Sequence, residues 1–275
     1  MTSLQNKQNL HTHTRYVDGK DTAEELVLFA IEKGFDSLGF SEHSNMQYST
    51  YPHQLTADRA MLYRKEIRAL KEKYRGQIDL FCGLEFDFYS EDDTEDYDYL
   101  IGSVHYLSCP TGIFTFDYGL DETREFIDRH FGGDGLAFAK RYFETVARLP
   151  ERRGFDILGH FDLITKNNDA GGFFDPTAKE YLDLGLETVH ALKGKIPLFE
   201  VNTGAIARGY KKAPYPDTVF LHEFKACGFG AVITSDCHNK DYLDQSFDEA
   251  RALLSEVGFR SRWILTKNGF EEVAL

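Results

Sequence analysis

Basic residues are in short supply. The 275-residue chain carries 31 lysines and arginines against 45 aspartates and glutamates, a formal charge of −14. A surface with that imbalance repels phosphate backbones and anionic lipid, which argues against nucleic-acid and membrane partners. Part of the acid excess is expected in a metal site, where bound cations offset it. No stretch nears the ~20 apolar residues that span a bilayer. The opening MTSLQNKQNLHTH has no apolar segment of the kind that directs secretion. Cysteine is sparse: Cys82, Cys109, Cys227 and Cys237 are scattered, with no C-x-x-C pair. They read as free thiols in a reducing cytoplasm rather than as a disulfide framework. There is no G-x-G-x-x-G or G-x-x-x-x-G-K-[ST] string to cradle a nucleotide. Repeats, low-complexity tracts and linkers are also absent, which leaves one domain over residues 1–275.

What is present is ordinary core material: 42% hydrophobic and 14% aromatic residues. Short apolar runs at 9–13, 37–41, 80–85, 99–105, 157–160, 197–202 and 230–235 read as strands. Amphipathic stretches at 22–33, 55–74, 137–149, 177–193, 218–226 and 245–257 read as helices. Thr22 stands three residues before Glu25, a capping-box spacing, and Gly34 follows as a stop. The acidic run Ser90–Asp98 reads as a solvated loop or cap. Seven strands with helices between most of them predict an α/β fold whose parallel sheet closes into a barrel, an open doubly wound sheet being the alternative. The connection between the third and fourth strands is short. The tail 262–266 reads as an eighth strand or as a strap across the barrel bottom.

The histidines fall at the ends of these strands. His11 and His13 close the first at i, i+2 spacing, which on a strand puts both imidazoles on one face. His43 ends the second, Glu85 the third, His105 the fourth and His160 the fifth; Asp236 and His238 follow the seventh, again at i, i+2. In a barrel those ends converge on one rim, and imidazole with carboxylate is a donor set for zinc, manganese or iron. Asp18 follows His13 closely enough to bend back to the same place. His53, His130, His190 and His222 lie in loops or helical patterns and read as surface or structural, with His53 the nearest to the rim. Cys237, between two proposed ligands, points away from them.

The strings His11-Thr-His13, Glu42-His43, Gly83-Leu-Glu85, Ser103-Val-His105, Gly159-His160 and Ser235-Asp-Cys-His238 resemble, in order, the polymerase and histidinol phosphatase (PHP) family. The longer strings Gly159-His-Phe-Asp-Leu-Ile164 and Glu200-Val-Asn-Thr203 are most similar to its free-standing histidinol-phosphate phosphatases. The resemblance implies a distorted (β/α)7 TIM-like barrel, a single domain, with three divalent ions (zinc, manganese or iron) at the strand C-terminal ends. It implies one ion on His11, His13, Glu85 and Asp236. A second falls on Asp18, His43 and His238, and a third on Glu85, His105 and His160, with Glu85 bridging. Two departures stand out. Some relatives place a histidine six residues past His13, where this chain has Asp18 after five. They also often read NTSGLR after the sixth strand, where this chain reads Asn202-Thr-Gly-Ala-Ile-Ala-Arg208.

The expected activity is hydrolysis of a small phosphate ester, L-histidinol phosphate, by a metal-bridging hydroxide, with no side-chain nucleophile. Such a reaction has a very high uncatalysed barrier, which clustered cations lower. Arg208 is the expected phosphate grip, since a planar fork outperforms a lysine, with Lys166 as a second contact. Asp162 and Glu200 are expected near the mouth, to receive a cationic substrate. Ser41 and Ser235 are read as capping groups. The alternatives are a phosphoesterase of the same kind acting on nucleotides or other small esters, and a metal-binding module without turnover. The oligomeric state is not legible.

Overall fold

The computed structural model describes residues 6–47 and 54–275; His53 lies outside the described residues. In chain order the chain forms β1 (Gln8–Asn9), α1 (Ala23–Glu32), β2 (Ser37–His43), α2 (Ala57–Lys73), β3 (Asp79–Asp87) and β4 (Tyr99–Ser103). A hairpin, β5 (Tyr106–Cys109) and β6 (Gly112–Thr115), then leads into α3 (Leu120–Phe131), α4 (Gly135–Ala147) and α5 (Leu149–Arg152). There follow β7 (Ile157–Leu158), α6 (Asn168–Gly171), α7 (Lys179–Leu192), β8 (Leu198–Asn202), α8 (Gly204–Ala207), α9 (Thr218–Cys227), β9 (Gly230–Thr234) and α10 (Phe247–Val257). A second hairpin, β10 (Ser261–Thr266) and β11 (Gly269–Ala274), ends the chain.

Seven strands form one parallel sheet in the order β1-β2-β3-β4-β7-β8-β9. A parallel bridge between Thr12 and Cys237 joins the two edges and nearly closes the barrel. The capping box of α1 is in place: Thr22 accepts from the Glu25 amide at 3.2 Å, and Glu25 accepts from the Thr22 amide at 2.8 Å. No helix is sequence-adjacent to the short β3–β4 link. The tail is not an eighth barrel strand: β10 pairs only with β11, antiparallel. It straps the bottom, where the Gln8 side chain brackets the Leu265 backbone at 2.8 Å on both its amide and carbonyl. The β5–β6 hairpin and α3 were not foreseen from sequence. As expected, α4 ends before Pro150, which stands in the first turn of the separate short helix α5.

Period-2 alternation sorts each strand into two cores. On β3, Leu80, Cys82, Leu84 and Phe86 face the helix layer. Phe81 instead joins Leu10, Tyr99, Ile101, Ile157, Leu198 and Val232 in a smaller cluster inside the barrel, with Leu265 below. Tyr99 fills the barrel axis; its hydroxyl donates to the carbonyls of Leu10 and Phe40. Room for it comes from glycines, since a Cβ on Gly83 would stand 2.3 Å from the Tyr99 ring. Gly83→Ala is therefore expected to cost about 3 kcal/mol by overpacking, read as a shift of the chemical-denaturation midpoint with unchanged slope.

Three strands stop two or more residues short of their predicted ends for one reason. The His11 amide donates to the Asn9 side chain at 3.1 Å, His105's to Asp87 at 2.6 Å and His160's to Glu200 at 2.6 Å. Side-chain oxygens capture amides that a longer ladder would use.

Candidate metal centre

Continuing the inward alternation above the apolar layer, β3 presents Glu85 and Asp87, β4 presents Ser103, β8 presents Glu200 and β9 presents Thr234. Backbone bonds from His13 to Cys237 (2.8 Å) and from Cys237 to His11 (2.9 Å) keep the post-β1 segment extended. His11 and His13 thus lie on one face, their rings 5.1 Å apart. Asp236 adopts φ +45°, a left-handed conformation that costs a non-glycine residue about 1 kcal/mol or more and is held here by its surroundings. Cys237 is buried in the outer core.

Glu85 is the hub. Its Oε2 lies 2.7 Å from His43 Nδ1, 3.3 Å from His11 Nε2 and 3.6 Å from His13 Nε2. Its Oε1 lies 2.9 Å from His160 Nε2 and 3.3 Å from His105 Nε2, and accepts from the Ser103 hydroxyl at 2.8 Å. Asp236 Oδ1 stands 3.2 Å from His13 Nε2 and 3.6 Å from His11 Nε2. Asp18 bends back as expected, its Oδ2 3.3 Å from His238 Nε2 and 3.6 Å from His43 Nε2. All nine predicted ligands therefore meet at one rim.

The donors fall into three adjoining groups: His11 with His13 and Asp236; His13 with Asp18, His43 and His238; His43 with Glu85 and His105. His13 and His43 thus bridge groups that the sequence reading kept apart. His160 approaches through Glu85 and through His105, whose Nε2 is 3.1 Å from its own. Among the described residues a fourth group, His190, Glu223 and Cys227, lies on the outer helices α7 and α9.

The acids and imidazoles of the rim shift one another's ionisation. Burial pushes the Glu85 carboxyl up, but His11, His43 and His105 outweigh it and hold it well below its usual range. Burial likewise opposes ionisation of Asp236 and Asp18, and Arg208 and the histidines overcome it. Desolvation lowers His11 and His43, yet their acidic neighbours hold both well above normal; His105 is raised to about 10. His13, crowded by His238 and His43, is buried down to about 3. Buried atoms of His11 (Nε2), His13 (Nδ1 and Nε2), Asp18 (Oδ1) and Glu85 (Oε2) face charged neighbours but make no aligned hydrogen bond. Orphaned buried polar atoms each cost ~1–3 kcal/mol. That so many converge fits this donor set to divalent ions of the zinc, manganese or iron type.

The surrounding polar residues hold the candidate ligands in place. Glu200 Oε2 stands 2.8 Å from His11 Nδ1 and accepts from the Thr234 hydroxyl at 2.7 Å. A proton held on Nδ1 there would leave Nε2 free to face a cation. Glu200 is thus fully buried behind His11 and His160, not at the mouth as sequence suggested. Its inward position on β8 put it one layer too deep. Asp162 is also misplaced by that reading: it has no exposed surface, accepts from the Asp217 amide at 3.1 Å, and lines a separate cavity with Tyr181 and Lys211. Glu200→Gln is expected to weaken metal affinity about 10–100-fold, measured by competition against a chromophoric chelator. Unchanged affinity would remove Glu200 from its role.

Arg208, just past α8, donates to Asp236 Oδ2 at 2.8 Å and to the Asp236 carbonyl at 2.9 Å. Lys166 donates to Asp117 at 2.8 Å and lies over the Tyr210 ring. The hydroxyl of Ser41 accepts from the Thr12 amide and that of Ser235 donates to the Leu243 carbonyl, so both brace loops. Sequence reasoning missed Asp87 and Asp117. Asp87 was findable, two residues past Glu85 on the same strand face; Asp117 follows the unforeseen hairpin and carried no signal.

A family model for the PHP domain matches residues 9–204. The chain belongs to the PHP domain family. The histidinol-phosphatase of Bacillus subtilis (strain 168) is 27% identical over 271 residues, covering 88% of this chain and 97% of that protein. The HisK structure from Listeria monocytogenes superposes with a TM-score of 0.78 at 21% identity, over 88% of this chain and 99% of the other. Histidinol phosphate phosphatase of Lactococcus lactis, solved with zinc, L-histidinol and phosphate, superposes with a TM-score of 0.70 at 20% identity, over 97% and 99%. These neighbours share the PHP barrel, which is the distorted barrel with parallel strands described above. Among the described residues no helix is long and apolar enough to cross a membrane.

Proposed function

We propose that this PHP-family chain is a metal-dependent phosphomonoesterase that hydrolyses L-histidinol phosphate to L-histidinol and inorganic phosphate. The observation that carries the reading is the convergence of nine imidazole and carboxylate residues, with orphaned donor atoms, beside an open cavity of about 110 Å³. Full-length likeness to proteins named for that activity selects the substrate. Bound divalent ions would supply Lewis acidity toward the phosphoryl oxygens and a water acidic enough to ionise near neutral pH.

The chain's own residues do the rest. His11, His13, Asp18, His43, Glu85, His105, His160, Asp236 and His238 would hold the ions. Glu200 and Asp87 fix the ring orientation of His11 and the backbone of His105. Arg208 and Lys166 lie close enough for each charge to oppose the other. A phosphate dianion accepting from both side chains would relieve that repulsion. The four cysteines are unpaired, which suits a cytoplasmic setting. The test is a panel of phosphomonoesters offered to protein loaded with zinc, manganese or iron, with phosphate release as the readout. Turnover of L-histidinol phosphate is expected to exceed that of mononucleotides and sugar phosphates. Efficient hydrolysis of those esters with negligible release from L-histidinol phosphate would refute it.

A further inference from the structure

The cavity beside the metal ligands is acidic and one-sided. Four carboxylates line it, those of Asp18, Glu85, Asp87 and Asp117, and among the described residues no lysine or arginine does. Its apolar wall includes Met46 and Leu55. Three of the four acids are already committed. Asp18 and Glu85 face the imidazole cluster. Asp87 accepts from the His105 amide at 2.6 Å on one oxygen and from the Tyr89 amide at 2.9 Å on the other. Asp117 alone has capacity left. Its Oδ1 receives Lys166, and among the described residues no donor engages its Oδ2. The side chain is about one quarter exposed, at 23%. Burial pushes its carboxyl up, but Lys166 and His105 outweigh burial and keep it below the usual range, so it is anionic at neutral pH.

We propose that Asp117 is a specificity-determining residue that receives the substrate's ammonium group by exchanging partners with Lys166. The inference rests on the phosphatase reading above. L-Histidinol phosphate carries its ammonium on the carbon next to the ester carbon, so its positive and negative groups sit only a few bonds apart. Asp117, which lines the cavity, and Lys166 are a complementary pair, 2.8 Å apart. When the substrate enters, its ammonium takes the place of the Lys166 ammonium on Asp117, and Lys166 turns to the phosphate. Two ion pairs replace one, and the second negative charge of the phosphate would fall to the bound ions. An ester without the amine gives Asp117 no reason to release Lys166, and its phosphate must be held without that cation. The enzyme therefore selects esters with an ammonium adjacent to the phosphate-bearing carbon.

The experiment compares metal-loaded wild type, Asp117→Asn and Asp117→Glu on L-histidinol phosphate and on 3-(imidazol-4-yl)propyl phosphate, which differs only in lacking the amine. The readouts are kcat/KM for each ester and calorimetric affinity for L-histidinol. Wild type should prefer the amine ester, and D117N should reduce that preference roughly 10- to 100-fold, with a parallel loss of L-histidinol affinity. D117E, which keeps the charge, should retain more of the preference than D117N. Equal losses on the two esters, or unchanged L-histidinol affinity in D117N, would overturn the role of Asp117 while leaving the phosphatase reading intact. A wild type that hydrolyses neither ester would overturn both.

Discussion

Glu85→Gln is expected to strip the protein of metal and to reduce phosphate release by about four orders of magnitude or more. The substitution preserves the shape of the side chain and deletes one charge. That charge is shared among five imidazoles within 3.6 Å, those of His11, His13, His43, His105 and His160. A glutamine can offer one carbonyl oxygen where the carboxylate offered two, and its amide places a donor against rings that must present lone pairs to a cation. The metal-free protein suffers too, because removing one partner from buried ion pairs leaves the others uncompensated, at about 3–5 kcal/mol. Elemental analysis, kcat/KM and a chemical-denaturation curve on the same preparation separate these effects. Full metal content in the variant would mean that Glu85 is not a ligand, whatever its activity.

The rim was legible because its chemistry is tied to strand ends. Imidazoles at i, i+2 in His11-Thr-His13 and in Asp236-Cys-His238 obey the alternation of an extended chain, and the apolar runs before them marked the strands. What sequence could not supply was depth. Glu200 and Asp162 stand near strand ends just as His160 does, yet one is a layer deeper and the other turns outward to the Asp217 amide. Alternation gives the face of a residue and not its height along the barrel axis. The sharing of His13 and His43 between groups is also a matter of ångströms, which spacing does not encode. The β5–β6 hairpin escaped because its strands are four residues each, half-exposed and without a hairpin dipeptide of the Asn-Gly type. With it went Asp117, the one cavity acid that no motif announced. The tail was readable as a strap because Trp263, Ile264 and Leu265 are apolar, but its pairing needed the second half, Gly269–Ala274, whose Glu271 and Glu272 disguise a strand.

Chelation of the metal is expected to abolish turnover, to lower the melting temperature by about 15 °C or more, and to make the protein take up protons. Each group occupied at a hundredfold excess over its Kd adds about 2.7 kcal/mol, and a chain of this size shifts by roughly 2–4 °C per kcal/mol; three groups give the stated change. The protons follow from the acids. A ligand imidazole must be bare. Without metal, His11, His43 and His105 are held above their ordinary value by Glu85, Glu200, Asp18 and Asp87, and His105 reaches about 10. A raised value in the folded chain stabilises it fully below the unfolded value near 6.5. That contribution fades as pH rises, and for His105 it is gone past about 10. His13, held near 3, acts oppositely: its contribution is lost as pH falls below about 6.5. Between pH 7 and 10 the metal-free form should therefore lose stability while the loaded form holds, and the gap between their melting temperatures should widen. Calorimetric titration of metal into the stripped protein at pH 8, in two buffers of different ionisation enthalpy, should show net proton release. Binding without proton release, or a gap that narrows toward alkaline pH, would mean that these imidazoles are not where the cations sit.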